Sequence, residues 1–304
     1  MKIYTFNDKV LTRNTKWLKE YEQPTPPTPP TPSLPPYTIR LKFTEGVTPE
    51  FSNGTLTQVS SSPNIWDLTY ENSDWSYLCE SQEYLVEVIS ANTTGVTDTS
   101  GMFRYCTALT SISLFDTSSV TNMERMFASC ALTSIPLLDT SSVTNMTSMF
   151  EDSSSLTTVP LINTSNVTNM SSMFGGCAAL TTVPLFNTSK VTNMLNMLSN
   201  CSSLTTISLF DTSNVTEMRY MCLNCTSLTV IPLFDTSKVD NIESMFQGCV
   251  NVQSGALALY QQASARTDPP LYNYLDAFKN CGSNTVTGAA ELAQIPTSWG
   301  GTAS

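Results

Sequence analysis

The chain has 304 residues with no histidine, 14 basic and 25 acidic residues, and a formal net charge of −11. The absence of histidine excludes Ser-His-Asp and Cys-His catalysis in their usual forms together with most zinc enzymes, and the acidic balance disfavours nucleic-acid binding. Only 13% of the residues are charged, so the surface must be built largely from Ser, Thr and Asn.

Residues 1–22 form a segment that we predict to be an attachment peptide. Its first 20 residues contain five basic and two acidic side chains, a local charge of +3. Interspersed apolar residues suit docking on a partner, above all Ile3, Tyr4, Phe6 and Trp17. A frayed terminus is the alternative. We expect neither a secretion signal nor a membrane-spanning stretch.

Two short segments separate this peptide from the rest of the chain. Residues 23–36 hold eight prolines in 14 positions, which predicts a stiff polyproline II spacer of roughly 40 Å. Residues 37–43 and 65–70 alternate apolar and polar side chains as strands do, with a turn at residues 51–56. Residues 37–73 are therefore predicted to be a small β cap.

Residues 74–250 carry a repeat whose seven clearest copies each open with a valine. The valines are 24 residues apart with one interval of 23: Val96, Val120, Val143, Val167, Val191, Val215 and Val239. Each copy begins with apolar residues at helical spacing and ends with apolar residues that alternate as in a strand. This pattern predicts an α/β solenoid, a leucine-rich-repeat array of about seven 23–24-residue coils, with residues 251–304 as a helical C-terminal cap.

Equivalent positions of the copies form columns, and several columns are polar or contain sulfur. An Asp or Asn column and the Thr column beside it indicate turn and capping chemistry, with a calcium-binding ladder as the alternative. Seven of the nine cysteines share one column and are expected to be buried free thiols. We expect no catalytic residue, no metal site and no cofactor.

One apolar column is the candidate binding surface. If Leu114 and its equivalents point inward, the next residue of each strand faces the open side of the array. These residues form a predicted concave stripe for partner binding: Phe115, Leu138, Ile162, Phe186, Phe210 and Phe234. The alternative is that they fold over the edge of their own layer and add to the core.

The repeat, written F-D-T-S-x-V-T-N-M-x-x-M-F-x-x-C-x-x-L-T-x-I-x-L, resembles that of BspA-like leucine-rich-repeat surface proteins over roughly residues 74–250. This resemblance implies a bacterial surface and adhesion. The opening 20 residues resemble the N-terminal attachment peptides of fibre proteins from bacteriophages of gut bacteria.

The order of parts leads to the expected function. We expect a non-enzymatic phage virion appendage, a head or tail fibre at the virion surface. Its N-terminal peptide would hold a virion protein, and its repeats would bind a host-surface glycan or protein. Neither nucleic-acid binding nor membrane insertion is expected, and a homo-oligomer is compatible with this function. The alternatives are an adhesin at the bacterial cell surface and a structural decoration protein without a ligand.

Overall fold

The structure is a computed structural model that describes residues 4–6, 9–11, 37–267 and 270–303. Strands β1 (Tyr4–Phe6) and β2 (Lys9–Leu11) pair antiparallel with each other. The predicted proline spacer at residues 23–36 lies outside the described residues.

A five-stranded mixed sheet lies at the N-terminal end of the repeats and takes its last two strands from them. Its strands are β3 (Thr38–Phe43), β4 (Thr55–Ser61), β5 (Asn64–Thr69), β6 (Leu85–Asn92) and β7 (Ser111–Ile112). The strand order is β4-β5-β3-β6-β7, and only the β6–β7 pair is parallel. Strand β3 alternates buried and half-buried residues, and it places Ile39, Leu41 and Phe43 in the core.

The predicted α/β solenoid of seven leucine-rich coils is wrong. Within residues 96–247, all of which the structure describes, no copy contains a helix and the one strand is β7. The regular structure is the mixed sheet together with two short α-helices near the C terminus. Consecutive copies are joined instead by isolated parallel β-bridges, in a ladder that runs from Asp74 to Asn273. We call residues 74–250, held together in this way, the repeat stack.

The helix prediction fails because the backbone N–H groups of the segment predicted to be helical bond in two alternating directions. Every second N–H donates to the copy that follows, as Phe174 N does to the Met197 carbonyl at 2.9 Å. The N–H groups between them close tight turns within the copy, as Met173 N does to the Met170 carbonyl at 3.2 Å. A series of such turns also brings residues three and four apart onto one side, so spacing alone cannot separate it from a helix.

Two positions in each copy adopt a left-handed backbone, which an α-helix cannot contain. In the copy that begins at Val167 they are Ser172, with φ of +53°, and Gly176, with φ of +76°. Ser, Asn, Asp and Gly occupy most of these positions along the stack, and these small or locally hydrogen-bonding residues tolerate positive φ best. A run of turns therefore replaces the expected helix.

The core is one continuous cluster of side chains from Ile39 to Trp299. Phenylalanines of successive copies stack face to face inside it: Phe103, Phe127, Phe150 and Phe174 have centroids 5.7, 5.7 and 5.5 Å apart. The valine and methionine columns are fully buried beside them. Each copy thus buries its apolar side chains against its two neighbours, as repeat proteins do.

Threonine hydroxyls connect the copies through a second ladder. The predicted Thr column donates to the carbonyl group of the Asp or Asn column in the following copy, for example Thr212 Oγ1 to the Asp235 carbonyl at 2.8 Å. The Asp or Asn side chains in turn accept from the backbone N–H two residues later, as Asp211 Oδ1 does from Ser213. The prediction of turn and capping chemistry in these two columns is confirmed.

The cysteines are buried free thiols, as predicted. In the main column the thiols from Cys106 to Cys249 each point to the carbonyl group of the residue 27 positions earlier, as Cys177 Sγ does to Phe150 at 3.1 Å. Ser153 takes the same position in its copy and donates to the Phe127 carbonyl at 2.7 Å. Burial raises the pKa of Cys106 to about 12, because an apolar environment disfavours the thiolate.

The C-terminal end closes with helix α1 (Ala256–Ser264), helix α2 (Val286–Leu292) and a 3₁₀ turn at Thr297–Trp299. The indole of Trp299 stacks on Tyr274 with centroids 4.3 Å apart and lies 6.5 Å from Phe278. Helix α1 stands where the next copy would supply acceptors for the Thr column. Thr236 Oγ1, the last member, is consequently buried with no hydrogen-bond partner among the described residues.

Replacing Thr212 and Thr236 by valine should therefore have different effects on stability. Thr212→Val leaves the Asp235 carbonyl without its donor and should lower the free energy of unfolding by about 1–3 kcal/mol. Thr236→Val removes a hydroxyl that is buried and unpaired, and should leave stability unchanged or raise it. Urea unfolding of the two full-length variants measures both effects, and an equal loss in both would contradict the ladder.

The buried thiols make a second prediction, about pH. The native chain should hold the Cys106 proton well above the ordinary thiol pKa of 9.0, whereas the unfolded chain releases it there. The free energy of unfolding should then fall as pH rises above about 9, by up to about 1.4 kcal/mol per pH unit for each such thiol. Urea unfolding at pH 8 and pH 10 tests this.

Tyrosine and lysine also titrate in that range, so a variant with one thiol fewer is the control. Cys177→Ser copies the residue that the chain already uses at Ser153. It should lose less stability between the two pH values than the unmodified chain does. Equal losses would show that the thiols do not govern the effect.

Candidate binding surface

The six residues of the predicted concave stripe are all buried. Phe115, Leu138, Ile162, Phe186, Phe210 and Phe234 are at most 2% exposed. Phe186 stacks on Phe174 across its own copy, with centroids 6.1 Å apart, and on Phe210 of the next copy at 6.5 Å. The alternative interpretation, in which these side chains add to the core, is the one that the structure shows. They are not available to a partner.

A tight turn reverses the direction in which these side chains point. The N–H of Phe186 donates to the Pro184 carbonyl at 3.0 Å, which closes a three-residue γ-turn centred on Leu185. The same bond recurs at Ile162, Phe210 and Phe234. In an extended strand Leu185 would share the inward side of Val183. The turn breaks that alternation, so Leu185 points outward and Phe186 inward.

The residues exposed by this turn are leucines. Leu185, Leu209 and Leu233 are 47%, 59% and 53% exposed, and Val230 beside them is 48% exposed. Their equivalents in earlier copies, Leu114, Leu137 and Leu161, are half-buried. We call Leu185, Leu209, Val230 and Leu233 the leucine patch.

The patch lies on a base that is fixed by packing and hydrogen bonds. Each exposed leucine is followed by a buried residue of the phenylalanine column. Ser208 Oγ donates to the Val183 carbonyl at 3.2 Å and joins the segment of Leu209 to that of Leu185. Copies lie about 4.8 Å apart where bridges pair them, so the leucines form a compact apolar strip.

The exposed leucines lie one residue before the predicted concave stripe, in the same segment of each copy. The signal that could have located these leucines is the pair of adjacent apolar residues, Leu-Phe, Leu-Leu or Leu-Ile, at the end of each copy. Two neighbours in a strand cannot both point inward, and the larger aromatic side chain gains more from burial. A proline two residues before the phenylalanine in several copies further indicates a turn rather than a strand.

The predicted attachment residues are only partly within the described residues. Tyr4 and Phe6 lie in β1, which pairs with β2. Ile3 and Trp17 lie outside the described residues. Docking through this peptide stays a prediction.

Among the described residues, no cluster of three or more Cys, Asp or Glu side chains is arranged to hold a metal ion. No helix in the described part of the chain has the length and hydropathy needed to cross a bilayer.

Comparison with known proteins gives one family. A family model described as "Mycoplasma protein of unknown function, DUF285" matches residues 76–184 and 156–260, which together span more than half of the chain. The match is consistent with a surface repeat protein, and it shows neither a leucine-rich repeat nor a link to bacteriophages. No curated protein and no solved structure matches.

Because the leucine points outward and the phenylalanine inward, substitutions at these two neighbouring positions should change the free energy of unfolding by different amounts. Leu209→Asp places a charge at an exposed site and should change the free energy of unfolding by less than about 0.5 kcal/mol. Phe210→Ala empties part of the core and should cost about 3–5 kcal/mol. Urea unfolding compares the two. A larger loss for Leu209→Asp than for Phe210→Ala would contradict the observed orientation.

Proposed function

We propose that this chain, which belongs to the DUF285 family, is a non-enzymatic binding protein whose leucine patch docks on a partner at a host surface. The observation that carries the proposal is the exposure of three leucines at equivalent positions of consecutive copies. Contiguous exposed apolar surface on a soluble protein marks an interaction site far more often than single exposed residues do.

The rigidity of the patch supports this role. Its backbone is held by γ-turns and by the stacked phenylalanines directly beneath it. A surface that is already ordered loses little conformational entropy when a partner binds. The leucines themselves contribute apolar area, and their burial at an interface is worth roughly 25 cal/mol per Å² before the costs of association.

The chemistry of the chain supports a binding role over catalysis. The sequence has no histidine, and the repeated Asp and Asn side chains accept backbone hydrogen bonds in their own turns. The cysteine thiols lie in the core. Histidine is therefore missing, the thiols are buried, and the repeated Asp side chains hold their own turns together.

The finer proposal is that the protein is a phage virion appendage. In this arrangement residues 1–22 attach to a virion protein, residues 23–36 act as a spacer, and the repeat stack meets a host-surface glycan or protein. The support is the order of these segments and the resemblance of the opening peptide to phage attachment peptides. A bacterial adhesin, the second candidate, shares the repeat stack but gives the N-terminal segment no role.

Charges placed in the leucine patch should weaken host binding. The triple variant Leu185→Asp, Leu209→Asp and Leu233→Asp would bury carboxylates at the interface, and unpaired buried charge is strongly unfavourable. We expect binding to host cells to weaken by about tenfold or more, the equivalent of about 1.4 kcal/mol. Flow cytometry with the labelled full-length protein measures this.

The matched control puts the same three charges in the same three copies on another exposed column. Thr168→Asp, Thr192→Asp and Thr216→Asp alter threonines that are exposed to solvent and whose hydroxyls make only long hydrogen bonds, of 3.3–3.4 Å, to the preceding copy. This variant should bind as the unmodified chain does. Equal loss in both triple variants would reject the patch as the binding surface.

Immunogold labelling separates the virion appendage from the adhesin. Antibody against the repeat stack should decorate purified phage particles and leave envelopes of uninfected cells unlabelled. Labelling of the uninfected envelopes alone would replace the appendage with the bacterial adhesin.

A further inference from the structure

One tyrosine in the first full copy departs from the pattern of its own column, the second of the two left-handed columns of the stack. Tyr105 has φ of +61° and stands in the second left-handed column of the stack. The eight other residues of that column are Ser81, Ser129, Asp152, Gly176, Asn200, Asn224, Gly248 and Asn280. A bulky residue at positive φ is unfavourable, and such outliers concentrate at functional sites.

The ring of Tyr105 is held in place by the preceding residue. The guanidinium carbon of Arg104 lies 4.4 Å from the ring centroid, and Arg104 Nη2 donates to the tyrosine hydroxyl at 2.7 Å. Arg104 Nη1 also donates to Glu80 Oε1 of the copy before, at 3.3 Å. Tyr105 is nonetheless 41% exposed. The ring is therefore an ordered aromatic surface that solvent can reach.

A second exposed tyrosine stands in the neighbouring copy. Tyr77 has φ of +54° and is 43% exposed. Its ring lies over Gly101, where a Cβ would overlap the ring, so the glycine provides the space that Tyr77 occupies. Gly101 is four residues before Tyr105, at the other left-handed position of the same copy. The stack thus brings two fixed tyrosine rings to one region of its N-terminal end.

We propose that Tyr105, Arg104, Glu80 and Tyr77 form a saccharide-binding site in which a sugar ring stacks on Tyr105. An aromatic face packs against an apolar face of similar size, and a pyranose ring offers its C–H groups in that way. The tyrosine hydroxyl accepts from Arg104 and keeps its own proton to donate. Glu80 Oε2 makes no hydrogen bond within the described part of the chain and can accept.

A neighbouring donor and acceptor suit a hydroxyl group, which both accepts and donates. A cationic ligand fits less well because Arg104 already provides the positive charge over the ring. A protein partner fits less well because a stable protein interface buries about 800 Å² on each side, while this site consists of two partly exposed rings and their rim. The site is separate from the leucine patch and does not depend on it.

Tyr105→Asn is the sharpest test because asparagine is the residue that three other copies use in this column. The variant should unfold at the same temperature as the unmodified chain or at a higher one, since the strained tyrosine is gone. Retention of the full-length protein on an array of immobilised bacterial capsular and O-antigen oligosaccharides should fall at least about tenfold. Tyr105→Phe keeps the ring and loses the donor, and its retention should be intermediate.

Tyr272→Asn is the matched control, because Tyr272 is a tyrosine 89% exposed at the opposite end of the stack. It should leave retention on the array unchanged. The triple aspartate variant of the leucine patch should also retain saccharide binding, so this site and the leucine patch can fail independently. The site is rejected if the unmodified chain binds no oligosaccharide on the array, or if Tyr105→Asn binds as well as the unmodified chain. Capture of a host envelope protein that depends on Tyr105, without saccharide binding, would reject it in favour of a protein partner.

Discussion

The structure depends on backbone N–H groups that reach forward to the carbonyl groups of the next copy. This single arrangement determines much else in the repeat stack. It requires every copy to follow the same backbone path, because the N–H donors of one copy must lie opposite the carbonyl acceptors of the next. It requires two left-handed residues per copy, which limits those positions mainly to small or turn-forming side chains. It also aligns the side chains of each column, so that Phe150 stacks on Phe174 and the threonine hydroxyls, except that of Thr236, meet a carbonyl group of the following copy.

Carbonyl groups inside the stack accept hydrogen bonds from side chains, whereas in a helix or a sheet they would accept from backbone N–H groups. Cys177 and Ser153 use different atoms for the same task, a hydrogen bond to the carbonyl of an earlier copy. Because a serine hydroxyl makes the same hydrogen bond, the cysteine column has a structural role that requires neither a disulfide nor a metal ion. Thr236 shows the limit of the scheme: where helix α1 replaces the next copy, its hydroxyl loses an acceptor. The end of a repeat array is therefore where its internal chemistry becomes incomplete, as expected for proteins held together by nearest neighbours.

The sequence was sufficient to find the repeat period, the buried columns and the polar turn columns, because each rests on identity or apolar character at a fixed interval. It was insufficient for the local backbone. Val167, Met170 and Met173 have the spacing of a helix, and only the hydrogen-bond partners reveal that their copy is a series of turns. The predicted exposure of the concave stripe was wrong for a related reason. A γ-turn at Leu185 exchanges the inward and outward side chains, and apolar pattern alone is the same for both orientations. Tyr105 could have been found by column comparison, since its eight counterparts are all small or turn-forming.

The regular spacing of the copies has a consequence for how such chains change in length. Each copy donates to its successor with the same N–H groups that its predecessor uses to donate to it. A whole copy can therefore be gained or lost between two others without altering either end. Tyr105 and the leucine patch lie in different copies, on opposite sides of the middle of the stack. Duplication of one internal copy would move these two surfaces apart by one layer, about 4.8 Å. The hydrogen-bond ladder fixes the spacing between copies, so the number of intervening copies sets the distance between Tyr105 and the leucine patch.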